Sequence, residues 1–181
     1  MLEVDEDSRL GLEILGQGPR YGAREVPGDE LTADLYEMAV DELPLRRYEI
    51  SNFAKPGWES RHNLKYWRLE PYVGFGADAH GFDGAVRAQN VETAQEYVER
   101  WKAGRSVRLV ESAASLAEER FFVGLRLLEG VRPSAEEWRR WAEPVERMRA
   151  AGLVERDGPL LRLTRRGVLL SNEVFQEFLP S

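Results

Sequence analysis

The run Ser60-Arg-His-Asn-Leu-Lys-Tyr-Trp67 places an imidazole, an amide and two large aromatics within six residues. Neutral imidazole is a common axial ligand of haem iron. His62 is therefore a candidate metal ligand, and Tyr66 and Trp67 could supply flat apolar walls or edge hydrogen bonds to a planar ligand. On a helix, His62 and Tyr66 share a face at i,i+4. The same residues also fit a packed, hydrogen-bonded histidine among aromatics, and their spacing leaves both readings open.

Two further segments could serve such a site. Ser51-Asn-Phe-Ala-Lys-Pro-Gly57 follows the short β-prone run Arg47–Ser51, and loops at strand ends are where α/β sheets meet ligands. It reads equally as an ordinary turn reversed by Pro56-Gly57. Tyr72-Val-Gly-Phe-Gly-Ala77 reads as a second strand, in which Gly74 and Gly76 would leave one face bare. That bareness admits either a closely approaching ligand or a tightly packed interior. His80, closing this segment, fits a structural cap better than a ligand.

The elements needed to position these residues follow from pattern. Residues 2–26 are polar and punctuated by glycine, with Gly16-Gln-Gly-Pro19 as a loop. A helix starts at Asp29 as N-cap, carries Leu31, Leu35, Met38, Ala39 and Leu43 at helical spacing, and ends at Pro44. The order helix, strand, loop, helix-like segment, strand predicts α/β units with parallel pairing. Thr93 to Lys102 reads as a helix with Tyr97, Val98 and Trp101 on one side. Leu116 to Leu128 is an amphipathic helix, Ser134-Ala-Glu-Glu137 a capping box, and Glu143 to Ala151 another short helix. Leu153 to Leu163 reads as a hairpin turned at Asp157-Gly158, and Thr164 caps a last helix ending near Phe178. The expected division is a first domain over 1–102, a linker over 103–115 and a small winged-helix-like α+β domain over 116–181.

Composition narrows the functions available. The 181 residues carry a net charge of −7 and contain no cysteine, which excludes disulfides, zinc–thiolate sites and thiolate-held iron–sulfur clusters on this sequence. Residues 1–50 hold 13 acids and 5 bases, 51–110 hold 7 and 9, and 111–181 hold 12 and 11, so only the middle third is net basic. Arg162, Arg165 and Arg166 cluster near the hairpin, but Glu136, Glu137, Glu143 and Glu146 precede them, and a groove-reading helix needs positive charge. Nucleic acid is not an expected partner. Neither a signal-peptide pattern nor an apolar run of membrane-spanning length is present, so a cytoplasmic chain is expected.

Taken together, these residues resemble the oxygen-independent coproporphyrinogen III oxidase-like radical SAM proteins, particularly their HemW-type haem-chaperone branch. The matching positions are Tyr48-Glu-Ile-Ser-Asn-Phe-Ala54, Pro56-Gly57, Ser60-Arg-His-Asn63, Tyr66-Trp67, Tyr72, Gly74-Phe-Gly76, Ala79-His80 and Arg87-Ala-Gln-Asn90. In the tail they are Leu125-Arg-Leu127, Gly130-Val131, Gly152-Leu153 and Leu163-Thr-Arg-Arg-Gly167. The resemblance implies the C-terminal portion of a partial (β/α) radical SAM barrel followed by the family's winged-helix-like domain.

It also implies that a Cys-x-x-x-Cys-x-x-Cys motif holding a [4Fe–4S] cluster belongs to a first half that this sequence does not match. By the same resemblance His62 is the haem-iron ligand, Asn63, Tyr66 and Trp67 line the haem site, and Ala54, Gly74 and Gly76 border the S-adenosylmethionine side. Departures are Gly81, where relatives commonly carry serine, and Leu43-Pro-Leu-Arg46, where a glycine is usual. The function implied is haem binding and transfer to an acceptor protein. The alternative is part of an oxidase acting on coproporphyrinogen III, and without cysteine the chain is expected to be catalytically inactive alone. A barrel lacking its first strands would expose a sheet edge, so self-association is a further expectation.

Overall fold

A computed structural model of the chain describes residues 9–16 and 27–179, and the chain divides into two units, 1–47 and 48–181. In the first unit, α1 spans Arg9–Leu15 and α2 spans Asp29–Glu42, followed by a two-residue strand β1 at Arg46–Arg47. A helix thus occupies part of the stretch 2–26 read as polar and glycine-punctuated. The loop expected at Gly16–Pro19 lies outside the described residues from Gln17 onward. Asp29 is the first helical residue of α2, and Gly28 is its N-cap, with no side-chain cap. Asp29 and Glu30 still favour the start of the helix through its dipole. Tyr36 is the buried anchor of this unit; the Arg47 guanidinium lies 5.4 Å from its ring centroid and hydrogen-bonds its hydroxyl.

The second unit contains β2 (Phe53–Ala54), α3 (Arg61–Trp67), β3 (His80–Phe82), β4 (Val86–Asn90), α4 (Ala94–Lys102) and β5 (Arg108–Ala113). These are followed by α5 (Leu116–Gly124), α6 (Ala135–Arg140), α7 (Ala142–Ala150), β6 (Val154–Asp157), β7 (Leu160–Leu163), α8 (Arg165–Leu169) and α9 (Ser171–Gln176). The order β3-β4-β5 makes a three-stranded sheet whose pairs are antiparallel, with Gly81 opposite Ala88 and Ala88 opposite Glu111. The expectation of parallel pairing is corrected here. The Asp83-Gly84-Ala85 connection is short enough to fold β4 straight back on β3, whereas parallel neighbours need a crossover of a dozen or more residues.

The second predicted strand moves as well. Of Tyr72–Ala77 only Tyr72 pairs, in a two-bond bridge with Phe82, and the regular strand begins at His80. Gly76 turns the chain with φ +98°, so Gly74 and Gly76 do not alternate along one bare strand face. Strand β5 lies within the stretch 103–115 that reads as a connection from composition.

Beyond the sheet, local signals hold. Ser134 accepts from the Glu137 N–H while the Glu137 carboxylate accepts from the Ser134 N–H, the reciprocal box expected from the sequence. Thr93 caps α4, and Thr164 caps α8. The last predicted helix is broken at Leu170 into α8 and α9. Gly167 shows why α8 can lie so close to the hairpin: a Cβ there would sit 1.7 Å from the Leu153 carbonyl oxygen.

The core gathers around Phe121, Trp141 and Phe178, whose ring centroids are 5.1 to 5.7 Å apart, with Leu125, Leu161 and Val174 fully buried beside them. Two joints tie this core to the rest of the unit. Ile50 donates to the Arg126 carbonyl at 3.0 Å, and Leu128 donates to the Tyr48 carbonyl at 3.2 Å. Arg87 of β4 pairs in a fork with Glu119 of α5, both partly buried, and that carboxylate raises the arginine's pKa. No helix among the described residues is long and apolar enough to cross a membrane.

Candidate functional site

Helix α3 carries the histidine, and the sequence before it sets the helix's start. Ser60 accepts from the Asn63 N–H at 3.3 Å as N-cap, while its own N–H donates to the Tyr48 hydroxyl at 3.3 Å. Asn63 therefore contributes its backbone to the cap. The helix ends after two turns at Arg68, and Leu69 adopts φ +54°, a left-handed conformation costly for a branched side chain. This reversal brings Pro71 back under Lys65, whose ammonium donates to the Pro71 carbonyl at 3.2 Å.

His62 is exposed at one end of an aromatic ladder. Its Nε2 lies 3.0 Å from the Tyr66 hydroxyl, and the two rings meet edge-on with centroids 4.9 Å apart. Tyr66 meets Tyr72 edge-on at 4.5 Å, and Tyr72 leans on buried Phe82 at 6.3 Å. The structure thus brings His62 and Tyr66 together as i,i+4 spacing requires. Trp67 faces elsewhere: Arg126 lies 4.5 Å above its ring, and its buried Nε1 has no acceptor among the described residues. An exposed imidazole offers a nitrogen lone pair to a metal, and the Tyr66 hydroxyl is the group that must yield if Nε2 is to bind.

Gly74 and Gly76 lie in the loop that leads into β3. The side-chain space of Gly74 is taken by the chain itself, since a Cβ there would lie 2.1 Å from the His80 carbonyl oxygen. Asn90, buried, clasps the loop by donating to the Gly76 carbonyl at 2.9 Å and the Gly74 carbonyl at 3.4 Å. The cleft that Gly74 lines includes neither Ala54 nor Gly76. His80 is exposed in β3 opposite Gln89. Among the described residues no group of three or more His, Asp or Glu could hold a metal ion, and the sequence supplies no thiolate for a cluster.

Sequence reasoning missed two features beside this ladder. A cleft of about 400 Å³ opens next to it, lined by Lys65, Tyr72, Gly81, Ala88, Asn90 and Arg108 among others. Lys65 was legible in principle, three residues after His62, but Arg108 comes from the stretch read as a connection. The second is the Asp83 turn at the cleft's edge. Its carboxylate accepts from the Val86 N–H at 2.7 Å and the Ala85 N–H at 2.9 Å, and these two donors hold its pKa below the ordinary carboxylate value.

With this geometry in hand, the chain can be set beside known proteins. A solved structure described as coproporphyrinogen III oxidase (HemN) from Escherichia coli, a radical SAM enzyme, superposes with a TM-score of 0.64 over 86% of this chain and 42% of its own, at 16% identity. That likeness defines a HemN-like mixed α/β fold. Residues 112–170 match the family model for the HemN C-terminal domain. The heme chaperone HemW of Bacillus subtilis is 37% identical over 172 residues, which cover 87% of this chain and 45% of the relative. HemW of Mycobacterium tuberculosis H37Rv is 34% identical over 188 residues, covering 97% and 48%. A mitochondrial radical S-adenosyl methionine domain-containing protein 1 of Danio rerio is 38% identical over 124 residues, 61% of this chain and 28% of its own. The chain is thus similar to HemW-type relatives over most of its length and carries a match to the HemN C-terminal domain, and it spans about half the length of the HemW relatives it matches.

Proposed function

We propose that this chain takes part in haem handling as a HemW-type chaperone does: it holds haem through His62 and passes it to an acceptor protein. The observation that carries the reading is the exposed imidazole, set edge-on to the Tyr66 ring with centroids 4.9 Å apart on a short capped helix. An imidazole on a two-turn helix, backed by Tyr66 and Tyr72, is oriented for a planar ligand before that ligand arrives. This limits the side-chain entropy lost on binding. Asn63 contributes through the cap that fixes the helix. Trp67 contributes through the packing of the far end of α3 against Arg126.

The cluster chemistry of the family finds no ligands on this sequence, which lacks cysteine. The S-adenosylmethionine side assigned to Ala54, Gly74 and Gly76 rests on family resemblance. Gly74 meets the His80 backbone, so any ligand there would approach the loop from its other side. In the family reading, 1–102 is the barrel portion and 116–181, with its helices, hairpin wing and closing helices, is the winged-helix-like domain. The oxidase alternative has a fold neighbour at 16% identity behind it, whereas the relatives at 34–37% identity bear the chaperone name.

Titration of haemin into wild type and His62→Ala, followed by the absorption band, tests the assignment. Loss or displacement of the band in the variant is expected, and equal binding by both would remove His62 from the role.

A further inference from the structure

The cleft beside α3 has the chemistry of a carboxylate receptor for a flat ligand. His62, Lys65 and Tyr66 occupy one side of α3, at i, i+3 and i+4. Lys65 and Tyr72 both line the cleft, so it begins where the His62–Tyr66–Tyr72 ladder ends. Its floor is the row Gly81–Ala88 across β3 and β4, two of the smallest residues in register, which leaves the middle of that sheet face low. Phe82 and Val86 add apolar lining, and the Lys65 and Arg108 cations contribute positive charge.

The opposing charges are few and occupied. Asp83 is turned onto the N–H groups of its own turn, and Glu111 accepts from one arm of Arg108 at 2.8 Å. A guanidinium has five N–H donors, so Arg108 keeps others for a ligand, and Lys65 spends one of three on the Pro71 carbonyl. The volume of about 400 Å³ lies at the lower end of the range for small-molecule sites and suits one edge of a macrocycle.

We propose that this cleft receives the carboxylate-bearing edge of a tetrapyrrole whose iron is met by His62, with Lys65 and Arg108 pairing its two acidic side arms. The inference deepens the haem reading above and rests on it. It explains a feature His62 alone does not: the site is set in the net-basic third of an acidic chain.

The test titrates haemin and its dimethyl ester, in which both carboxylates are capped, into the whole chain. The proteins are wild type, Lys65→Gln/Arg108→Gln, Lys65→Arg and His62→Ala, each checked for unchanged far-ultraviolet circular dichroism. The double variant is expected to bind haemin roughly ten-fold more weakly, with the band position unchanged because His62 remains. The ester should bind wild type and double variant alike, and Lys65→Arg should retain haemin affinity. If the double variant matches wild type for haemin while His62→Ala loses the band, the cleft assignment fails and the haem reading stands. If wild type shows no haemin band, or His62→Ala binds as wild type does, the haem reading fails and takes the cleft with it.

Discussion

At the scale of single residues, Tyr66 decides how His62 can act. Its hydroxyl occupies the Nε2 side of the imidazole, so loading a metal there means displacing one hydrogen bond. Tyr66→Phe keeps the ring ladder and removes the competitor. Haemin affinity should rise by roughly five-fold, the equivalent of about 1 kcal/mol for a net hydrogen bond. A weaker complex in that variant would mean that the phenol serves the loaded state instead. Gly74 makes a separate prediction about stability. Alanine there drives a methyl into the His80 carbonyl, and the backbone must shift. Gly74→Ala should cost about 1–3 kcal/mol in denaturant unfolding, and an unaltered midpoint would show that the loop gives way freely.

At the scale of elements, the β3–β4 turn is held by a charge. The Asp83 pKa lies below its ordinary value of 3.8 because the Val86 and Ala85 N–H groups favour the carboxylate. A depressed folded-state pKa adds stability that is present above the unfolded value and is lost as pH falls through the folded one. Asp83→Ala should therefore melt below wild type near neutral pH, with the gap narrowing in the acid range below 3.8. A gap constant across that range would assign the turn's stability to loop geometry alone.

The same turn shows where sequence reading falls short. Caps at Ser134 and Thr164 were legible because donor and acceptor lie three residues apart. The partner of β4 was not, because β5 lies about twenty residues away, beyond a helix, in a stretch whose burial is slight throughout. Tyr72–Ala77 misled for a related reason. Its alternation mimics a strand, yet the glycines there serve a close backbone crossing and a turn.

At the scale of the whole molecule, the aromatic cluster of Phe121, Trp141 and Phe178 ties α5, the α6–α7 junction and the segment after α9 to each other. Phe178 is fully buried against the other two rings. Phe178→Ala should cost about 3–5 kcal/mol, read from thermal or denaturant unfolding; a loss under 1 kcal/mol would mean that the core refills the space. The candidate site was legible in part at this scale. His62 with Tyr66 follows from helical spacing, while the cleft does not, because it is assembled from α3, the β3–β4 hairpin and β5, which are separated along the chain. Charge shows the same limit. Arg162, one of the arginines that cluster near the hairpin in the sequence, pairs with Glu155 at 2.6 Å and Asp157 at 3.5 Å across the hairpin.

Trp67 gives the molecule a resident optical probe. Its indole is sheltered beneath Arg126, five positions along the chain from His62, while Trp58 and Trp101 stand in solvent. An iron porphyrin absorbs where tryptophan emits, so cargo arriving at the imidazole would darken the sheltered indole, whereas a soluble quencher such as iodide would dim the outer two. Replacing Trp58 and Trp101 by phenylalanine would leave the emission of Trp67 with that of Trp138 and Trp141, and the part of it that falls on loading would report on cargo in real time, with no label attached.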